Sequence, residues 1–92
     1  MYLEIVSPEA TLFAGAITAV TVPGINGEFQ MLENHAPILS LLQEGLVKIK
    51  GDLTIDEEYL NKFSKADNGD TTLAISSGTV EMKDNKVIVL AD

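Results

Sequence analysis

Apolar residues in this chain recur at every second position in short runs, and a proline, a glycine or an Asn/Asp step ends each run. The opening stretch holds YLEIVS, TLFAG and ITAVTV in this arrangement. Period-two alternation puts successive side chains on opposite faces of an extended backbone, where a helix would need apolar residues three and four apart. In the third run Ile17, Ala19 and Thr21 face one way and Thr18, Val20 and Val22 the other. Runs of five or six residues at a spacing of about ten predict a β-sandwich or barrel rather than βαβ units.

The breaks carry their own geometry. Pro23-Gly24 is expected to stop the third strand, because proline cannot donate to a ladder and glycine accepts left-handed angles. Asn26-Gly27 predicts a type I′ hairpin turn with positive φ at both residues, followed by a return strand over residues 28–32. After Asn34-His35-Ala36-Pro37, where the proline biases Ala36 toward extended geometry, residues 38–50 read as two strands meeting near Glu44-Gly45. The last part is β again: TLAISS, Gly78, TVEMK, the Asp84-Asn85 step and KVIVLAD, with Val80 and Met82 alternating against Glu81 and Lys83.

Residues 51–71 interrupt this rhythm. Thr54-Ile55-Asp56-Glu57 has the form of a capping box, with the hydroxyl serving one orphan amide and the glutamate another. Ile55, Tyr59 and Phe63 recur every four residues, and Lys62 and Lys65 stand where a helix C-terminus favours cations. Together these predict a short amphipathic helix within residues 54–65. A strand pair with a long loop is the alternative, and Asp67-Asn68-Gly69-Asp70 is a turn in either case. The sum is eight to ten short strands in a chain of 92 residues, a length that leaves room for one core and hence for a single domain.

Composition removes several classes of function. Fourteen acids against six lysines, with no arginine, give a net charge of -8, which repels a phosphate backbone and an anionic lipid surface alike. Nucleic acid is therefore excluded as a partner, and a protein with basic loops is favoured. No cysteine is present, so neither a disulfide framework nor a thiolate metal site can form. No segment approaches the roughly 20 apolar residues of a transmembrane helix, and residues 1–7 alternate like a strand instead of forming a basic-then-apolar leader. A cytosolic location is the expectation.

Few residues could carry catalysis. The only histidine, His35, could act as a general base with Glu33 or Glu28, but no serine elbow, cysteine or second histidine completes such a site. The simpler reading makes it an interface or structural residue. Asp67-Asn68-Gly69-Asp70 resembles part of a calcium loop but lacks the ligand spacing, and Gly24-Ile25-Asn26-Gly27 lacks the lysine of a phosphate cradle. Glu28-Phe29, just after the hairpin turn, offers a core phenylalanine beside either a solvated glutamate or a charged contact on a projecting tip. The apolar content of 46% exceeds what one inner face of each sheet needs, and such a surplus marks a surface meant for a partner.

An ordered set of short motifs runs through these elements: Ser7-Pro8-Glu9 with Phe13 and Gly15, Gly27-Glu28-Phe29, His35-Ala36-Pro37, Gly45, Gly78, and Asn85-Lys86-Val87 with the closing Val89-Leu90-Ala91-Asp92. In this order they resemble the N-terminal β-sandwich domain of the F-type ATP synthase epsilon subunit, over about two-thirds of the chain. The resemblance implies an all-β fold, a ten-stranded sandwich of two five-stranded sheets, with no catalytic site and no cofactor of its own. It implies a central-stalk rotor subunit of the proton-translocating ATP synthase, linking the gamma subunit to the polar loops of the membrane c-ring and supporting the coupling of proton transport to ATP synthesis. By the same resemblance Gly27, Glu28, Phe29, Gln30 and Met31 face the c-ring, and His35, Ala36 and Pro37 lie near the gamma subunit. The location implied is peripheral, on the cytoplasmic face of a bacterial inner membrane.

Three departures from that pattern stand out. Family members commonly continue into a helical hairpin that inhibits ATP hydrolysis and in some binds ATP, so both properties are expected to be absent from residues 1–92. Residues 51–71 are longer and more acidic than the usual connection and read as an atypical insertion. Asn34 stands where glycine is common, and it tolerates positive φ nearly as well. Two other function classes stay open: a free-standing β-sandwich that binds a small ligand, which would want an aromatic platform, and a hydrolase dependent on His35.

Overall fold

The computed structural model describes residues 1–92. Ten strands form: β1 (Tyr2–Val6), β2 (Thr11–Ala16), β3 (Ala19–Gly24), β4 (Gly27–Leu32), β5 (Ile38–Leu42), β6 (Gly45–Lys50), β7 (Phe63–Lys65), β8 (Thr71–Ile75), β9 (Gly78–Lys83) and β10 (Lys86–Ala91). Their pairing order is β2-β1-β10-β9-β5 on one side and β4, β3, β6, β8, β7 on the other. The two groups of five join through a single bridge between β5 and β3, Leu42 opposite Gly24. The sheet therefore curls over at that bridge into a sandwich, as expected, and both halves contribute to a cluster of 18 buried apolar residues. Every strand pair is antiparallel except β1 with β10, where Tyr2 lies opposite Lys86 and Val6 opposite Leu90.

Alternation decides which side chains enter that core. Val20 and Val22 of β3, Met31 of β4, Val47 and Ile49 of β6, and Val80 and Met82 of β9 point inward and are buried, while Glu81 and Lys83 are exposed. At about 1.5 to 3 kcal/mol for each fully buried aliphatic side chain, this layer is the main term holding the two halves together.

Three local expectations are corrected. Pro23-Gly24 does not end the third strand: Pro23 pairs with Glu28 and Gly24 with Gly27. The ladder passes because the Pro23 carbonyl accepts from the Gln43 amide at 2.9 Å, and a Cβ at Gly45 would lie only 2.8 Å from the Pro23 ring. The hairpin that follows turns on Ile25-Asn26, and positive φ falls on Gly27 alone (125°), so it is not type I′. The left-handed pair that type I′ demands occurs in the β9–β10 hairpin instead, at Asp84 (φ 53°) and Asn85 (φ 62°).

The helix within residues 54–65 is a 3₁₀ helix over Glu57–Lys62, and its cap is Asp56, not Thr54. The Asp56 carboxylate accepts from the Glu58 amide at 2.9 Å, which leaves the predicted capping box unused. An α-helix would have carried Phe63 onward, but Phe63 enters β7 and pairs with Leu73. Leu53, Ile55, Tyr59 and Phe63 pack against the core from this path, so the short helix and its flanks cover apolar surface.

The turn after β7 is pinned electrostatically. Lys50 donates to Asp70 at 2.8 Å, and Asn68 contacts the same residue through both its amide nitrogen (3.2 Å) and its oxygen (3.0 Å). Both carboxylate oxygens of Asp70 thus accept hydrogen bonds from within the protein. The Lys50 ammonium holds the Asp70 carboxyl below its ordinary value of 3.8, against the opposing effect of burial. A depressed native pKa stabilises the fold fully above the unfolded value and loses that contribution as pH falls through the native one. Between about pH 5 and about pH 3 the urea midpoint of the native chain should therefore fall further than that of Asp70→Asn; parallel pH dependences would refute this.

Candidate functional interface

β4 runs from the hairpin tip to the 33–37 crossing, and β5 runs back toward the tip. The tip is tied to the end of β5, since the Ile25 amide donates to the Leu41 carbonyl (3.3 Å) and the Gln43 side chain to the Gly24 carbonyl (2.9 Å). The crossing lies at the other end of the same two strands. A six-residue strand puts these regions roughly 15 to 20 Å apart, so the two sequence-predicted surfaces sit at opposite ends of β4, which is held along its length by its ladder to β3.

At the tip, Glu28 is exposed and forms an ion pair with Lys48 of β6 at 2.9 Å. Gly27 and Gln30 are exposed as well, and Phe29 is half-buried. Its ring lies over Gly24, where a Cβ would come within 2.7 Å of Cε1. Met31, however, is fully buried in the core opposite Val20. That removes Met31 from any contact surface, for the inward side of the pleat is fixed by the core. A shallow cleft of about 540 Å³ opens between the tip and β5, bounded by Ile25, Glu28, Phe29, Leu39 and Leu41.

In the crossing, residues 33–37 are all exposed. The His35 amide donates to the Leu32 carbonyl at 3.1 Å, and its Nδ1 lies 2.8 Å from the Ala36 carbonyl. Neither Glu28 nor Glu33 is its partner. Glu33 instead receives the Met1 ammonium at 2.8 and 2.9 Å and the Asn85 amide at 2.8 Å. The ammonium, helped by Asn85, holds the Glu33 carboxyl below its ordinary value. A carboxylate so engaged is a poor orienter for the imidazole, so the His35–Glu33 and His35–Glu28 assemblies do not form.

Between the two ends lies an exposed apolar surface, which the apolar surplus of the sequence implied without locating it. Leu39 and Leu41 of β5 stand outward with 75% and 60% of their surface exposed, with Ile25 at the tip and Leu90 on β10 also exposed. Leu41 pairs with Thr79 of β9, which pairs with Leu90, so these side chains share the outer face of one half-sandwich. The sequence ILSLL carried the signal, since it is apolar on both alternations.

Comparison with known proteins adds to this geometry. Residues 1–92 match the family described as the β-sandwich domain of the ATP synthase delta/epsilon chain. The chain is 36% identical to the ATP synthase epsilon chain of Chlorobaculum tepidum, over 98% of this chain and 86% of that relative. It is 35% identical to the epsilon chain of Campylobacter concisus, over 100% of this chain but only 60% of the relative. Among solved structures, it superposes with a TM-score of 0.71 and 17% identity on a chain in the central stalk and c-ring of Tetrahymena thermophila mitochondrial ATP synthase, covering 99% of this chain and 62% of that one. A chain in the mitochondrial ATP synthase of Euglena gracilis gives the same TM-score at 16% identity, over 97% and 48%. At such identities the likeness is one of fold.

Proposed function

Because the chain belongs to the ATP synthase delta/epsilon β-sandwich family, we propose that it works as a non-catalytic rotor element of the central stalk, bridging the gamma subunit and the c-ring. In this role it transmits torque and supports the coupling of proton transport to ATP synthesis. The observation that carries the reading is the exposed arc on β4 and β5: a charged tip at one end, a polar crossing at the other, and outward leucines between them. A rotor bridge needs two contact regions at a fixed separation on a stiff body, and β4, laddered to β3 over its whole length, supplies that. It acts peripherally, on the cytoplasmic face of a bacterial inner membrane; no helix of the chain is long and apolar enough to cross one.

Gly27, Glu28, Phe29 and Gln30 form the ring-facing tip, and the acid meets basic loop residues there. His35, Ala36 and Pro37, continued by Leu39 and Leu41, form the gamma-facing surface. The leucines supply apolar contact area and the crossing supplies polar register, the division common at protein interfaces.

Glu28→Lys tests the tip. Glu28 is half-exposed, so losing its pair with Lys48 should alter stability by no more than about 0.5 kcal/mol. Reconstituted complexes carrying it should bind gamma normally but show proton pumping per ATP reduced by about two- to five-fold, as expected for reversing a rim charge. Unchanged coupling would rule out Glu28 as a ring contact.

A further inference from the structure

The 33–37 crossing has no apolar anchor, since all five residues are exposed, and it passes from one half of the sandwich to the other. Its path is set by side-chain hydrogen bonds from elsewhere in the chain. Asn85, in the turn between β9 and β10, uses both ends of its amide. Its oxygen accepts from the Asn34 backbone amide at 2.7 Å, and its nitrogen donates to Glu33 at 2.8 Å. Glu33 then accepts the Met1 ammonium, which also reaches the Ile17 carbonyl at 3.3 Å. Asn34 (φ 59°) and Asn85 (φ 62°) both adopt the left-handed conformation, so each backbone is bent to present its group to the other.

We propose that Asn85 and Glu33 are positioning residues for partner binding: they form a clasp that holds the exposed crossing in its docking shape before the partner arrives. The inference rests on the reading of residues 35–37 as a gamma-facing surface. Its physical basis is that a loop ordered in advance loses less conformational freedom on binding, and two hydrogen bonds to one amide fix both position and direction. Closure of the β9–β10 hairpin alone does not call for such a side chain, because type I′ turns are satisfied by glycine at these positions.

Asn85→Gly separates clasp from turn, because glycine suits a φ of 62° while removing both side-chain bonds. In the full chain, the Asn34 amide should exchange with solvent at least about ten-fold faster, since its acceptor is gone, while the amides of Val87 and Val89 keep native protection. Affinity for purified gamma subunit should fall about ten-fold, as a loop left to order itself on binding requires. Glu33→Ala should reproduce both effects, and Glu33→Gln, which keeps an acceptor for Met1 and Asn85, should restore most of each. Unchanged Asn34 exchange, or faster exchange with native gamma affinity, would overturn the proposal. Failure of the unmutated chain to bind gamma would overturn the functional reading first, and the proposal with it.

Discussion

A chain carrying Leu39→Asp and Leu41→Asp should fold normally and lose about 100-fold in affinity for the gamma subunit, the loss expected when central apolar anchors are replaced by charge. Both side chains are mostly in water, at 75% and 60% exposed, so the isolated fold gives up little burial and its thermal midpoint should move by only a few degrees, as surface changes do. The same side chains would be desolvated against a partner, where two added carboxylates are costly. Calorimetric titration against gamma, with a melting curve of the free chain as control, decides the matter. Native affinity in the double variant would show that the outer face of β5 lies away from the shaft.

Gly78→Val should do the opposite and remove the fold itself. Gly78 begins β9 and pairs with Leu42 on one side and Ala91 on the other. The place its Cβ would take is already filled by the Leu90 carbonyl oxygen, with the Leu90 carbonyl carbon at 3.3 Å and the Ala91 Cα at 3.4 Å. Backbone, not a flexible side-chain end, would have to move, and it belongs to a strand paired on both sides. Overpacking of this kind costs about 3 kcal/mol or more, a large share of the roughly 5 to 15 kcal/mol available to a small domain. Urea unfolding of Gly78→Ala and Gly78→Val should show a graded loss, the valine form being unfolded or nearly so. A native midpoint in Gly78→Ala would mean that the strands can separate there at little cost.

The strand pattern was legible because one face of each sheet meets the core and period two reports it without help from tertiary context. Val80 and Met82 against Glu81 and Lys83 is such a case. Pro23-Gly24 misled because a missing donor ends a strand only where a neighbour needs it, and here the carbonyl and the space above Gly45 make the ladder continuous. Residues 54–65 were legible in part, for the short helix is there, but as a 3₁₀ helix capped by Asp56. Four-residue spacing of apolar groups describes any path that must reach a core edge repeatedly, and the pairing of Phe63 with Leu73 outweighed the helical preference. For the interface, the sequence order of the tip and the crossing was readable. The burial of Met31 needed the register with Val20, and the Glu33–Asn85 contact joins residues too far apart in the chain for any local pattern to show it.

The parallel pairing of β1 with β10 has a consequence for how the protein is made. Of the ten strands, β1 leaves the ribosome first and β10 last, yet they are direct neighbours at the middle of their half-sheet. Until β10 emerges, β1 has only β2 to pair with, and Leu3 and Ile5, both fully buried in the folded sandwich, lack their cover. Contacts between strands so far apart in sequence carry a large closure entropy and slow folding. The nascent sandwich is therefore an open, adhesive intermediate until its tenth strand arrives, and it becomes a closed body in that one step.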